Sequence, residues 1–166
     1  MISKKLCMLG SFSVGKTSLV QQYTYSVFSD RYLSTVGVKI SKKIVNIENQ
    51  ELNLILWDIE GQDDYSSITS AYLRGCMGAL LVVDGTRRET LDIALSLRKT
   101  MLNLLGPIPH LVLLNKADLT ESWEISDQDL VPLEEQGITV LKTSAKINQN
   151  VNEAFKLLSR KMLERP

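Results

Sequence analysis

Residues 10–17 read Gly-Ser-Phe-Ser-Val-Gly-Lys-Thr, the spacing G-x-x-x-x-G-K-T. Glycines at both ends let the backbone curl so that successive amide N–H groups face one point, which is how a chain cradles phosphate oxygens. The loop joins an apolar run (Leu6 to Leu9) to a helix-like run (Lys16 to Tyr25). A helix start adds the positive end of its dipole to the same spot. Lys16 reaches the outer phosphates of a polyphosphate, and the Thr17 hydroxyl is a hard oxygen donor for Mg²⁺. The plainer alternative is an ordinary strand–turn–helix corner.

Four further groups of residues fit such chemistry. Asp58 ends an apolar stretch and is followed by Ile59, Glu60, Gly61 and Gln62. A carboxylate at a strand end near a phosphate loop suits a second, water-mediated anchor for the metal; alone it reads as a helix cap. Gly61 offers an unobstructed amide to a terminal phosphate. Gln62 carries a donor and an acceptor suited to orienting an attacking water. Asn115-Lys116-Ala117-Asp118 ends another apolar stretch. A carboxylate there accepts from guanine N1–H and its exocyclic amine, donors that adenine lacks at that edge, so Asp118 selects the base. The amides of Thr143-Ser144-Ala145-Lys146 reach a base carbonyl. Thr35, in a long polar stretch, either faces solvent or completes the Mg²⁺ shell when a terminal phosphate orders that stretch.

These residues need a frame. Apolar runs alternate with helical spacing, the pattern of strand–helix–strand units around a largely parallel sheet. The expected strands are Leu6–Leu9, Lys39–Glu48, Leu52–Trp57, Gly78–Asp84, Leu111–Leu114 and Ile138–Leu141. The second and third form an antiparallel hairpin turning at Asn49-Gln50. Helices are expected over Lys16–Tyr25, Ile68–Gly75, Glu89–Leu105, Asp127–Gln136 (interrupted by Pro132 and capped by Gly137) and Asn150–Leu163. The result is an α/β fold with a six-stranded, mostly parallel sheet, one antiparallel edge strand and about five helices. Every candidate group falls at a carboxyl end of a strand, where open sheets bind ligands.

Composition narrows the field. The 166 residues suit one domain, 1–166, with 19 basic and 19 acidic side chains. A net charge of zero gives no footprint for nucleic acid or for a membrane surface. Cys7 and Cys76 sit in apolar runs and read as buried thiols of a reducing compartment. His110 is the only histidine and precedes an apolar run, which argues against a histidine triad and for a residue at a strand edge. No leader, membrane-spanning stretch or C-terminal prenylation cysteine is evident, so the expected place is the cytoplasm, with recruitment to membranes by partners or by a tail absent from this sequence.

The ordered motifs make this chain resemble the Ras-superfamily small GTPases, and the Rab branch in particular. The likeness covers nearly all of it. Its carriers are Gly10–Thr17, Ser34–Val38, Trp57-Asp58 with Gly61-Gln62, Asn115–Asp118 and Thr143–Lys146, with Ala71–Gly75 and Thr86–Thr90 giving the Rab character. The resemblance implies the Ras-like, three-layer P-loop NTPase fold and a GDP/GTP switch that uses Mg²⁺ and serves signalling and vesicle trafficking. It implies that Lys16 and the amides of Ser13, Val14, Gly15, Thr17 and Ser18 bind the phosphates. Thr17, Thr35 and Asp58 serve the metal, and Phe28 lies against the guanine ring or ribose edge. Asn115, Lys116, Asp118, Ser144, Ala145 and Lys146 surround the base, and Gln62 and Lys16 serve hydrolysis. Effectors, exchange factors and GTPase-activating proteins are expected to meet residues 29–40 and 60–72, with Ile40, Trp57 and Tyr72 at the contact. A monomer is expected.

The departures from the family pattern are specific. Phe12 stands where a small residue is usual, Ile59-Glu60 replaces Thr-Ala, Asp63-Asp64 replaces a Glu-Arg type pair, and Gly85 replaces a larger residue. A Glu60 carboxylate about 5 Å from a γ-phosphate charge costs about 3 kcal/mol at an effective dielectric near 20, weakening GTP binding relative to GDP or slowing hydrolysis; the plainer alternative is a side chain turned to solvent. These changes predict slow hydrolysis, and the alternative reading is a pseudo-GTPase that holds nucleotide without cycling. A P-loop kinase or ATPase is a third reading, disfavoured by Asp118.

Overall fold

A computed structural model describes residues 1–29, 37–59, 61 and 70–164. Its strands are β1 (Ile2–Gly10), β2 (Val38–Ile47), β3 (Gln50–Ile59), β4 (Gly78–Asp84), β5 (His110–Asn115) and β6 (Val140–Lys142). The helices among the described residues are α1 (Lys16–Tyr25), α2 (Ser70–Leu73), α3 (Glu89–Leu105), α4 (Asp127–Glu135) and α5 (Val151–Leu163). The sheet order is β2-β3-β1-β4-β5-β6, and only the β2–β3 pair is antiparallel. This is the expected Ras-like P-loop NTPase architecture.

Period-two alternation along the strands divides the core into two layers. Leu6 and Met8 of β1, Leu80 and Val82 of β4, and Leu111 and Leu113 of β5 face Leu19 and Val20 of α1 and Phe155 and Leu158 of α5. The intervening Cys7, Leu9, Leu81, Val83, Val112 and Leu114 face Leu73, Leu91, Leu97 and Leu133. Phe155 stacks on Tyr23 at 3.9 Å between ring centroids, which fixes α5 against α1. Both cysteines are buried in the second layer, as their sequence setting suggested.

Several boundaries differ from expectation, each for a local reason. β1 starts at Ile2 because parallel pairing with β3 extends back from the apolar run to Leu52. The hairpin turns at Glu48-Asn49, one residue early. Both have positive φ (51° and 67°), as a two-residue turn with the right twist requires. Ile138 belongs to a helix cap instead of the last strand. Its amide donates to the Leu133 carbonyl and that of Gly137 to Glu134, with Gly137 at φ 73°, so pairing with β5 waits until Val140. α4 runs through Pro132, and a Ser126–Asp129 capping box fixes its start.

His110 opens β5. Arg98 can only donate, so His110 Nε2 accepts from it at 2.8 Å and Nδ1–H donates to the Ile108 carbonyl at 2.7 Å. Burial lowers the His110 pKa below its usual 6.5, opposed by the Ile108 carbonyl and reinforced by Arg98 and Lys161. A histidine held neutral takes up its proton more readily when unfolded. Its contribution to stability is therefore complete above pH 6.5 and declines as pH falls from there through the folded value. Chemical denaturation between pH 7.5 and 5.5 should show that decline, and a His110→Gln variant a flatter profile. Parallel profiles would contradict this assignment.

Candidate functional site

The loop Gly10–Gly15 leaves β1 and enters α1 at the carboxyl edge of the sheet, where β3 and β4 lie on either side of β1. Gly15 takes φ 104°, and no side chain caps α1 there, so the helix start faces the loop. Space enforces glycine as well as torsion. A Cβ on Gly15 would lie 2.3 Å from Asn115 Nδ2, and one on Gly61 only 2.5 Å from Phe12 Cα. Gly61 is thus pressed onto the loop crown. Lys16 is 6% exposed, and its ammonium curls over the loop to the carbonyls of Gly10 and Ser11 at 3.0 and 2.9 Å.

Thr17 Oγ1 donates to Asp58 Oδ2 at 2.6 Å. The two come together because β3 runs parallel to β1 and carries Asp58 to the mouth of the loop. A hydroxyl and a buried carboxylate side by side are hard oxygen donors, and that donor set fits Mg²⁺.

The residues expected around the base form one cluster. Asn115 Nδ2 donates to the Val14 carbonyl at 3.0 Å, and Thr143 Oγ1 donates to Asn115 Oδ1 at 3.1 Å. Ser144 Oγ donates to Asp118 Oδ1 at 2.6 Å, fixing that carboxylate at the edge. Ala145 is buried and Lys146 exposed. Phe28 lies just beyond α1 with 38% of its surface exposed. Ser13, at φ 63°, and Val14 complete the loop, and Ser18 lies in the first turn of α1. Thr35, Gln62, Glu60, Asp63 and Asp64 lie outside the described residues.

The tertiary structure adds residues that the motifs did not single out. Gln22 of α1 donates to the Ala145 carbonyl at 2.7 Å, bracing the 143–146 loop against α1. Asp84 ends β4, and Asp58 is the last residue but one of β3, a repeated carboxylate near a strand end that the sequence did display. Its Oδ2 meets Lys116 Nζ at 2.9 Å and Arg87 Nε at 3.1 Å. Burial alone would raise the Asp84 pKa, but hydrogen bonds from Thr86 and Lys116, with the Lys116 charge, hold it below the usual carboxylate range.

Gly85, one of the departures, has a packing reason. The Trp123 ring lies where its side chain would be, with Cζ3 only 1.9 Å from an added Cβ. Gly85→Ala should therefore cost about 1–3 kcal/mol by overpacking. Urea denaturation measures this, and an unshifted midpoint would refute it. Ile59 is 1% exposed within the second core layer, so its methyl groups serve packing. Phe12 is 43% exposed at the loop crown. Ile40 pairs with Trp57 across the hairpin and is 49% exposed. Lys5 Nζ covers the Trp57 ring at 3.5 Å. No helix among the described residues is long and apolar enough to cross a membrane.

With this edge in view, the sequence comparison decides the family. The sequence model of the Ras family matches residues 5–164. This chain belongs to the Ras family. As a Ras-family chain it is a Rab-like small GTPase by its relatives. It is 34% identical to Ras-related protein Rab-13 of Canis lupus familiaris, over 96% of this chain and 79% of that protein. It is 32% identical to Ras-related protein Rab-8B of Homo sapiens, over 96% and 78%. It is 37% identical to Ras-related protein RABA2d of Arabidopsis thaliana, over 91% and 70%. Proteins of this family generally use GDP and GTP with Mg²⁺ and meet effectors and regulators.

Proposed function

We propose that residues 1–166 act as one G domain, a guanine-nucleotide switch that binds GDP and GTP with Mg²⁺ and hydrolyses GTP slowly. What supports the reading most is the convergence of the uncapped loop–helix start, the Thr17–Asp58 oxygen pair and the Asp118–Ser144 cluster on one sheet edge. Lys16 and the amides of Ser13–Ser18 take the β- and γ-phosphates. Thr17, Thr35 and, through water, Asp58 hold Mg²⁺, which when bound neutralises charge between those phosphates. Phe28 lies against the ring or ribose, Asn115 and Asp118 read the base, and Lys116 packs beside it. Ser144, Ala145 and Lys146 close over the base carbonyl. The Gly61 amide donates to the γ-phosphate, and Gln62 orients the attacking water.

Nucleotide identity then sets the order of residues 29–40 and 60–72, and partners choose one state. Ile40, Trp57 and Tyr72 give effectors, exchange factors and activating proteins an apolar contact. The protein works as a cytoplasmic monomer with no affinity for nucleic acid, brought to membranes by partners. Vesicle trafficking is the setting that a Rab-like switch suits.

Slow turnover follows from Phe12 and Glu60. The exposed Phe12 ring occupies the crown where an activating protein's arginine approaches, and a Glu60 carboxylate turned toward the γ-phosphate would set a like charge there. That same crown favours a second reading, a nucleotide-holding module that does not cycle. Identification of the nucleotide that co-purifies, followed by single-turnover hydrolysis of bound GTP over hours, separates them. Guanine nucleotide with slow conversion to GDP is expected. No conversion favours the module, and no preference for guanine over adenine nucleotides overturns both. Phe12→Gly should restore stimulation by an activating protein, and unchanged stimulation would clear Phe12 of that role.

A further inference from the structure

We infer that Arg87 is a positioning residue of the phosphate loop: it holds the loop crown by the Phe12 carbonyl and, through Asp84, ties that crown to Lys116 on the base side. The inference rests on the nucleotide reading above. A loop that aims its amides at phosphate turns its carbonyls outward, and each then needs a donor of its own. Three successive carbonyls have one. Val14 accepts from Asn115 Nδ2 and Ser13 from Lys116 Nζ, both at 3.0 Å, and Phe12 accepts from Arg87 Nη2 at 2.6 Å. The first two donors come from the segment that reads the base. Arg87 comes from beyond β4, 75 positions along the chain from Phe12, and no nucleotide motif calls for it.

Asp84 explains how Arg87 is aimed. Its Oδ2 accepts from Arg87 Nε at 3.1 Å and Lys116 Nζ at 2.9 Å, while Oδ1 accepts from the Thr86 amide and hydroxyl at 2.9 and 2.7 Å. The Asp84 side chain is 2% exposed, so both cations are fixed on a carboxylate that water hardly reaches. Arg87 bridges Asp84 and Phe12 with two different guanidinium nitrogens, a fork that a lysine ammonium does not reproduce. Two cations on one carboxylate also leave net positive charge behind a loop built for polyphosphate. Without Arg87 the crown carbonyl loses this charged donor and the loop loosens. The bound nucleotide then leaves faster, while its arrival changes little.

The test uses the full chain loaded with fluorescent GDP and chased with unlabelled GDP, as wild type, Arg87→Ala and Arg87→Lys. Loss of a charged hydrogen bond predicts dissociation about tenfold faster for Arg87→Ala, with Arg87→Lys between it and wild type. Amide hydrogen exchange over residues 11–15, with and without GDP, should speed up in the same order. The Asp84→Asn/Arg87→Ala double variant should release GDP no more than about twofold faster than the faster single variant, because the two act as one unit. A lower melting temperature with unchanged dissociation and unchanged loop exchange would show a merely structural role and overturn the inference. Multiplying effects in the double variant would overturn the bridge. Should Arg87→Ala fail to fold, Arg87→Lys carries the same comparison, and wild-type rates there overturn it. Should wild type bind no guanine nucleotide, the proposed function falls, while unchanged loop exchange in the variants separately retires Arg87.

Discussion

Lys16→Ala should bind GDP and GTP about 10²- to 10⁴-fold more weakly than wild type, the largest single loss at the phosphate end. Its ammonium already sits inside the loop, held by the Gly10 and Ser11 carbonyls. Little ordering therefore opposes its use on phosphate oxygens. Two charge-assisted bonds to a polyphosphate, at about 1.5–3 kcal/mol each, account for the range. Equilibrium titration with fluorescent GDP and GTP measures the effect. The loss should be accompanied by a fold that remains intact by circular dichroism, because Lys16 belongs to neither apolar core layer. Affinity within threefold of wild type would mean that Lys16 serves the loop backbone alone.

The second large effect concerns the base. Asp118→Asn should lower GTP affinity by about 10²–10⁴ through the two bonds to guanine N1–H and the exocyclic amine. The same substitution should raise affinity for xanthosine triphosphate. A side-chain amide offers one donor and one acceptor, and xanthine presents a carbonyl where guanine carries its amine. Ser144 donates to the Asp118 carboxylate at 2.6 Å, and an amide oxygen still accepts that bond, so the variant keeps its orientation. Competition between guanosine, xanthosine and adenosine triphosphates reads out the exchange. An unaltered preference for guanine would remove Asp118 from base selection.

How much of this was legible along the chain depended on how local each signal was. The Gly10–Thr17 loop, Asp58 and the Asn115–Asp118 segment stood out as candidates along the chain, because backbone curvature, charge and apolar runs are written in neighbouring residues. Strand ends were less legible. Ile138 reads as strand by hydropathy, yet its amide is committed to the cap of α4. Gly85 looked like an unexplained loss of side chain until Trp123, 38 positions further on, proved to occupy the space. Gln22 sits on α1 between buried apolar residues, and nothing in its neighbours announces a bond to Ala145.

The sequence alone determined the fold class, the loop that suits phosphate and the strand-end residues that suit a metal and a purine, because each depends on short-range geometry: φ preference, side-chain alternation and the reach of one side chain. Tertiary structure alone decided which distant groups meet: Gln22 with Ala145, and Arg87 with Asp84, Lys116 and the Phe12 carbonyl. Those meetings follow from strand order. Placing β4 beside β1, and β5 beside β4, sets three strand ends side by side although more than thirty residues separate them along the chain. No local pattern encodes such a distance, since it is set by how the two apolar layers pack on either side of the sheet.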